Sequence, residues 1–69
     1  LVVERRDGRI LALEVKLAST ITDRDVKHLT WLQEELGPKL LDTVVISTGP
    51  QAYRRLDGIG VVPLVLLGL

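Results

Sequence analysis

Two ionisable side chains interrupt the most apolar stretch of the chain, residues 10–17. Glu14 and Lys16 stand two positions apart among Ile, Leu, Ala and Val residues. In a β-strand successive side chains alternate between faces, so these two project from the same face about 6.6 Å apart along the chain. A carboxylate can bind a divalent metal ion and a neighbouring amine can assist attack by water. On an exposed strand the same two residues form an ordinary ion pair.

The residues around this pair predict a central strand of a sheet. Apolar side chains fall on both faces, which is typical of a strand covered on both sides in an α/β fold; they are Leu11, Leu13, Val15 and Leu17 on one face, with Ile10 and Ala12 beside the charged pair. Burying a charge there is costly unless the charge is paired, hydrogen-bonded or bound to a metal ion. Glu14-Val15-Lys16 is therefore the candidate site.

Length and composition limit the kind of protein. A chain of 69 residues makes one small domain, which buries only about 60 % of its unfolded surface. The absence of cysteine excludes disulfides and favours the cytoplasm. Nine acidic and nine basic residues leave no net charge, so the chain lacks the basic footprint of an autonomous nucleic-acid binder. No apolar run is long enough to cross a membrane.

Hydrophobic patterns predict an α/β fold with a small mixed sheet. An N-terminal β-hairpin over residues 1–17 is followed by a helix over about 23–36, with Thr22 or Asp23 at its N-terminus and Gly37-Pro38 after its end. Strands follow over about 43–48 and about 59–62. Because strand, helix and strand form a crossover, the strand at 43–48 should lie parallel to the Glu14 strand. The chain begins within a strand at Leu1, which predicts a single-domain fragment (1–69), the C-terminal part of a larger protein.

The hairpin has two possible registers, and they differ at the candidate site. A two-residue Asp7-Gly8 turn places Leu1 opposite Glu14. A three-residue turn with Gly8 in the left-handed conformation places Arg5 opposite Arg9. In that register the position just before Leu1 lies opposite Glu14.

The order of hairpin, Glu-x-Lys strand, helix and strand resembles the PD-(D/E)XK, restriction-endonuclease-like nuclease fold. That resemblance implies that Glu14 and the backbone carbonyl of Val15 bind Mg²⁺ or Mn²⁺, together with an acid just before Leu1, and that Lys16 assists the attacking water. Its implied substrate is the phosphodiester backbone of DNA or RNA.

Over nearly its whole length the chain is also similar to a C-terminal domain of unknown function that follows a P-loop AAA-type ATPase. The motifs that carry this similarity are Val2-Val3-Glu4-Arg5-Arg6-Asp7-Gly8, Glu14-Val15-Lys16 and Asp57-Gly58-Ile59-Gly60. It implies an upstream ATP-binding domain in the same chain. Gly49-Pro50 is not followed by Gly-Lys-Ser/Thr, so the segment itself has no ATP site.

Two functions from different classes follow. The first is a metal-dependent nuclease domain attached to an ATPase. The alternative is a non-catalytic interaction or assembly module on the same scaffold, in which Glu14 and Lys16 form a structural ion pair. Self-association is expected through the apolar tail, residues 63–67, or through an open sheet edge, and no membrane contact is expected.

Overall fold

The computed structural model describes residues 1–68, and a five-stranded mixed sheet forms its framework. In spatial order the sheet reads β1-β2-β3-β5-β4. Strands β2, β3 and β5 run parallel, while β1 and β4 are antiparallel edge strands. The strands are β1 (Val2–Glu4), β2 (Ile10–Val15), β3 (Leu40–Ser47), β4 (Tyr53–Arg54) and β5 (Gly60–Pro63). The predicted fold class, with its N-terminal hairpin, crossover helix, parallel strand and short final strand, is confirmed.

The hairpin of β1 and β2 closes with a three-residue turn. Val2 pairs with Ala12, so Arg5 stands opposite Arg9, whose carbonyl accepts the Arg5 N–H at 2.7 Å. Gly8 has φ 83° and donates its N–H to the Arg5 carbonyl at 3.0 Å. Glycine adopts this left-handed conformation without steric cost. Of the two registers left open by the sequence, the structure therefore has the one that leaves the position before Leu1 facing Glu14.

The hairpin of β4 and β5 uses the same turn. Arg55 donates its N–H to the Ile59 carbonyl at 2.8 Å, and Gly58, with φ 88°, donates to Arg55 at 2.9 Å. In both turns the aspartate before the glycine accepts the N–H two residues later, at 3.0 Å for Asp7 and 3.1 Å for Asp57. The segment between β3 and β5 therefore contains an extra edge strand, β4, that the sequence patterns did not predict, because Arg-x-Asp-Gly closes a hairpin here too.

The helix α1 spans Lys27–Leu36, so it begins four residues after the predicted start. Residues 23–26 form tight turns instead, because Asp25 donates its N–H to the Thr22 carbonyl three residues earlier. The predicted end is confirmed: the helix stops at Leu36, and Gly37–Lys39 forms one 3₁₀ turn.

Strand β3 then begins at Leu40, three residues earlier than predicted. The final strand is displaced by one residue from the predicted range.

The core lies between α1 and one face of the sheet. Val26, just before the helix, and Leu29 on the helix are almost fully buried, and they pack with Ala12 of β2 and Val45 of β3, which have no exposed surface. Leu32 packs against this cluster from the next helical turn. The spacing of these three apolar residues, 26, 29 and 32, follows the helical period, so they form the face that contacts the sheet.

Arg55 joins the β4–β5 turn to the segment before the helix. Its side chain is only 13 % exposed; Nη1 donates to the Ile21 carbonyl at 3.1 Å and Nε donates to Asp57 at 3.1 Å. Nη2 donates to Asp23. Burial lowers the pKa of Arg55, but the hydrogen bonds to Asp23 and Asp57 outweigh it and raise the pKa. Arg55 is therefore a structural clamp, and its charge is already neutralised.

Arg54 makes a second ion pair, on the opposite face of the sheet. Its guanidinium crosses Gly60 and donates to both carboxylate oxygens of Asp42, at 2.7 and 3.3 Å. The hydrogen bond from Arg54, assisted by the N–H of Thr43, holds the pKa of Asp42 below its usual range. Both arginines of the Arg54-Arg55 pair are thus engaged within the chain.

We expect Arg55→Ala to destabilise the fold by about 2 kcal/mol, since hydrogen bonds to charged groups contribute roughly this much and the Ile21 carbonyl loses its donor. Urea unfolding followed by circular dichroism measures this. Arg54→Ala is the matched control, and its loss should be smaller because the Arg54–Asp42 pair is more exposed. An equal decrease of the free energy of unfolding in the two variants would contradict the role of Arg55 as a structural clamp.

Asp42 should make stability fall in acid. Because its pKa is lower in the folded chain than in the unfolded chain, its stabilisation is present above the unfolded pKa and disappears as the pH falls through the folded pKa. Urea unfolding at a series of pH values from 7 down to about 2 should therefore show a shallower acid decline for Asp42→Asn than for the wild type. Arg54→Gln should flatten the decline in the same way; an unchanged slope in both variants would refute this role.

Candidate functional site

Glu14 and Lys16 come together at the end of β2, as the strand period predicts. Lys16 Nζ lies 3.3 Å from Glu14 Oε1. Glu14 pairs in register with the buried Val45, and two residues earlier on the same face is the buried Ala12. The carboxylate therefore projects from the face that α1 covers, beside the core.

One oxygen of the Glu14 carboxylate is buried without a partner. The side chain is 25 % exposed, and within residues 1–68 Oε2 accepts no hydrogen bond. A buried unsatisfied oxygen costs about 1–3 kcal/mol, and more if it is charged. Buried polar atoms of this kind are rare in native proteins and call for an explanation such as a bound ion. A cation or hydrogen-bond donor at Oε2 would remove this cost.

The backbone carbonyl of Val15 faces the β1 side of the sheet. Leu13 exchanges hydrogen bonds with Leu1 at 2.7 and 2.8 Å, while Lys16 donates to the Ile46 carbonyl of β3. Since backbone groups alternate sides along a strand, Val15 points toward β1 and beyond Leu1. The Val15 carbonyl therefore points to the edge of β2 along which a residue before Leu1 would lie.

The hairpin register makes the position before Leu1 the cross-strand neighbour of Glu14. Leu1 and Leu13 form a hydrogen-bonded pair. The next pair outward is therefore non-hydrogen-bonded, with Cα atoms about 4.5 Å apart and side chains close on one face. An acid at that position would share the face of Glu14. The other N-terminal acids do not reach it: Glu4 pairs with Ile10, and Asp7 lies in the turn.

The described residues do not by themselves form a complete set of metal ligands. Residues 1–68 contain no group of three His, Cys, Asp or Glu side chains that could hold a metal ion. Mg²⁺ is usually bound by one or two carboxylates, with water and substrate phosphate completing an octahedron. The unsatisfied Glu14 Oε2 and the Val15 carbonyl fit two oxygen ligands of such a site. The expected acid before Leu1 would be the third.

Asp25 is an acid near this site that the sequence analysis did not single out. The backbone N–H of Thr22 donates to Asp25 Oδ2 at 2.9 Å, and the Thr22 hydroxyl donates at 3.1 Å. These bonds, with smaller effects from the charges of Lys16 and Arg55, hold the pKa of Asp25 below its usual range. The Thr-x-x-Asp spacing is the sequence signal that could have revealed this bonding.

A small pocket of about 200 Å³ lies at the carboxyl ends of β2 and β3. The two loops that form it touch: Thr48 donates its N–H to the Ala18 carbonyl at 3.2 Å, and a side chain on Gly49 would collide with the Ser19 carbonyl. Several residues of its lining carry hydroxyl or amide side chains; the lining consists of Ser19, Thr20, Ser47, Gly49, Pro50, Gln51 and Tyr53. Ligands of open α/β sheets bind at this end of the strands. The polar residues that follow β2 and β3 in the sequence are therefore the signal that could have indicated this pocket.

Gln33 and Trp31 lie away from Glu14. Gln33 Nε2 donates to the buried Thr43 hydroxyl at 3.1 Å and to the Asp57 carbonyl at 3.3 Å, so it supports the core edge. Trp31 is 53 % exposed on α1 and stacks on His28 with 6.1 Å between ring centroids. Neither side chain is part of the Glu14 site.

Comparison with known proteins places the chain in a family without assigning a reaction. No curated protein and no solved structure matched it. None of the helices in residues 1–68 has the length and apolar character needed to cross a lipid bilayer. The model of one family, described as Domain of unknown function (DUF4143), matches residues 1–67. The chain therefore belongs to the DUF4143 family.

Proposed function

We propose that this chain carries part of the active site of a metal-dependent nuclease of the PD-(D/E)XK type, acting on DNA or RNA in the cytoplasm. The observation that carries the proposal is the buried, unpartnered Oε2 of Glu14 beside the ammonium of Lys16. In a purely structural ion pair both carboxylate oxygens would be expected to have partners or solvent.

The residues have distinct proposed roles. Glu14 and the Val15 carbonyl would hold Mg²⁺ or Mn²⁺, with an acid before Leu1 as the second carboxylate. The metal would supply Lewis-acid polarisation of the scissile phosphate. Lys16 would hold and orient the attacking water and offset the negative charge that develops on the phosphate oxygens.

The protein context is also part of the proposal. By resemblance, the domain would follow an ATP-binding domain in a longer chain, which would regulate access to the nucleic acid. The whole chain has no net charge, with nine acidic and nine basic residues. Most of the electrostatic affinity for nucleic acid would therefore come from that longer protein.

Metal binding tests the proposal directly. A Val-Asp extension before Leu1 should create a Mn²⁺ site detectable by calorimetry, because the register sets that aspartate opposite Glu14. A Val-Asn extension is the matched control and should bind at least about tenfold more weakly, since a metal site loses much of its affinity with one carboxylate. Glu14→Gln in the Val-Asp protein should abolish binding.

Nuclease assays then separate the roles. With Mn²⁺ and the Val-Asp extension, Lys16→Ala should retain metal binding and lower DNA or RNA cleavage by about 10²-fold or more, as expected for loss of transition-state charge stabilisation. If the Val-Asp and Val-Asn proteins bind Mn²⁺ equally, or neither binds, the nuclease proposal fails.

The alternative, a non-catalytic assembly module, is favoured by a different observation. The sheet face opposite α1 is apolar, and no α-helix in residues 1–68 packs against it. We call this surface the bare face; it consists of Leu1, Val3, Leu11, Leu13, Val15, Leu17, Val44, Ile46 and Val62. Leu17 is 85 % exposed and Val15 57 % exposed. Parallel strands are normally covered on both faces.

The bare face is large enough for an interface between two copies. The molecule measures 32 × 25 × 16 Å, and the two longer dimensions are those expected of a five-stranded sheet. A standard protein interface buries about 800 Å² on each partner. The exposed apolar residues of the final 3₁₀ helix, Leu64–Leu67, add to the apolar surface of the chain. Self-association through the bare face and the tail is the proposed form of this alternative.

Sedimentation velocity over a range of concentrations tests the alternative. Leu17→Glu should shift the chain toward monomer, because it places a charge within the bare face at a position that contributes little to the core. Leu56→Glu is the matched control, since Leu56 is fully exposed in the β4–β5 turn. A chain that is monomeric at every concentration, or equally affected by both substitutions, would contradict assembly through this face.

A further inference from the structure

A groove with an aromatic wall and an acidic rim lies between α1 and the β4–β5 turn. We call it the Trp31 groove; its volume is about 540 Å³, within the range of pockets that hold ligands. It is lined by Asp23, Val26, Lys27, Thr30, Trp31, Glu34 and Asp57. Its charged side chains are three carboxylates, Asp23, Glu34 and Asp57, which we call the acidic rim, and one lysine, Lys27. Arg55 pairs with Asp23 and Asp57, whereas Glu34 has no ion pair within residues 1–68.

Trp31 offers a flat surface in this groove. The indole is about half exposed and lies nearly parallel to the His28 ring, at an angle of 14°. Stacking against His28 restrains the indole and leaves the rest of its surface available. An aromatic face next to a carboxylate is the setting in which a guanidinium binds well, by stacking and by charge-assisted hydrogen bonding.

The opposite charge is found on the β1–β2 turn of the same chain. We call residues 5–9 the arginine turn; Arg5, Arg6 and Arg9 are all exposed, and the one acid, Asp7, pairs with Arg5 at 3.5 Å. Arg5 stands directly opposite Arg9 across the hairpin, and like charges in that position destabilise a sheet. The turn therefore protrudes with positive charge that a carboxylate from outside would stabilise.

We propose that the arginine turn of one copy docks in the Trp31 groove of a second copy. Arg6 at the tip of the turn stacks on Trp31 and pairs with Glu34, while Arg9 pairs with the acidic rim. The contact joins two different surfaces, so each copy can use its groove and its turn at once, and association continues into rings or short chains. This contact is separate from the bare face and does not depend on the nuclease proposal.

A charge exchange tests the contact. Sedimentation velocity at 20 mM NaCl should show association of a Leu17→Glu protein, in which the bare face is already blocked. Adding Glu34→Arg or Arg6→Glu to that protein should each abolish association. Mixing the two variants should restore association, because the intact turn of the Glu34→Arg variant can dock in the intact groove of the Arg6→Glu variant. Glu35→Arg, on the same helix but outside the groove, should associate like the parent protein.

Salt and fluorescence give independent readouts. Association should disappear at 500 mM NaCl, since the contact relies on exposed charges that salt screens. Trp31 is the only tryptophan of the chain, and its emission should shift to shorter wavelength when the complex forms. The proposal is overturned if the parent protein stays monomeric at millimolar concentration in low salt. It is also overturned if the mixed variants fail to associate, or if the Trp31 emission is the same in monomer and complex.

Discussion

The alternation of side chains along β2 is the constraint on which both the core and the candidate site depend. Ala12 points to the helix side and is fully buried between β3 and α1. Because the period of a strand is two, Glu14 must point to the same side. A one-residue change of register would expose Ala12 and move Glu14 to the bare face. The same alternation that places Ala12 in the core therefore also places the Glu14 carboxylate beside the core.

Placing the Glu14 carboxylate beside the core costs desolvation free energy, and its contact with Lys16 offsets that cost only in part. Lys16 lies 3.3 Å from one oxygen of Glu14, and the other oxygen is buried with no hydrogen-bond partner among residues 1–68. The other ion pairs are better satisfied: Asp42 accepts hydrogen bonds from both Arg54 and Thr43, and Arg55 donates to three groups. Compared with these ion pairs, the Glu14 carboxylate is incompletely bonded within residues 1–68, and this is the observation on which the proposed metal site rests.

Two hairpins with the same Arg-x-Asp-Gly turn have opposite electrostatic outcomes. In the β4–β5 turn Arg55 is folded back onto Asp57 and Asp23, so its charge holds the structure together. In the β1–β2 turn Arg5 reaches only Asp7, and Arg9 faces it across the strands. The difference arises because the segment before α1 passes beside one turn and not the other. One turn is therefore a clamp, and the other leaves its charge on the surface.

The sequence alone determined the features that depend on neighbours along the chain. Asp7-Gly8 marks the first hairpin turn, Gly37-Pro38 ends the helix, and the two-residue spacing brings Glu14 next to Lys16. These follow from local backbone preferences and strand period, which need no distant partner. Only the tertiary structure decided which hairpin register occurs and that helix α1 starts at Lys27. It also decided that Arg54 and Arg55 form ion pairs with aspartates of the same chain. In addition, it left Glu14 Oε2 without a hydrogen-bond partner in residues 1–68. Arg54 and Arg55 bond to groups 12 and 34 residues away in the chain, and local propensity does not specify such contacts.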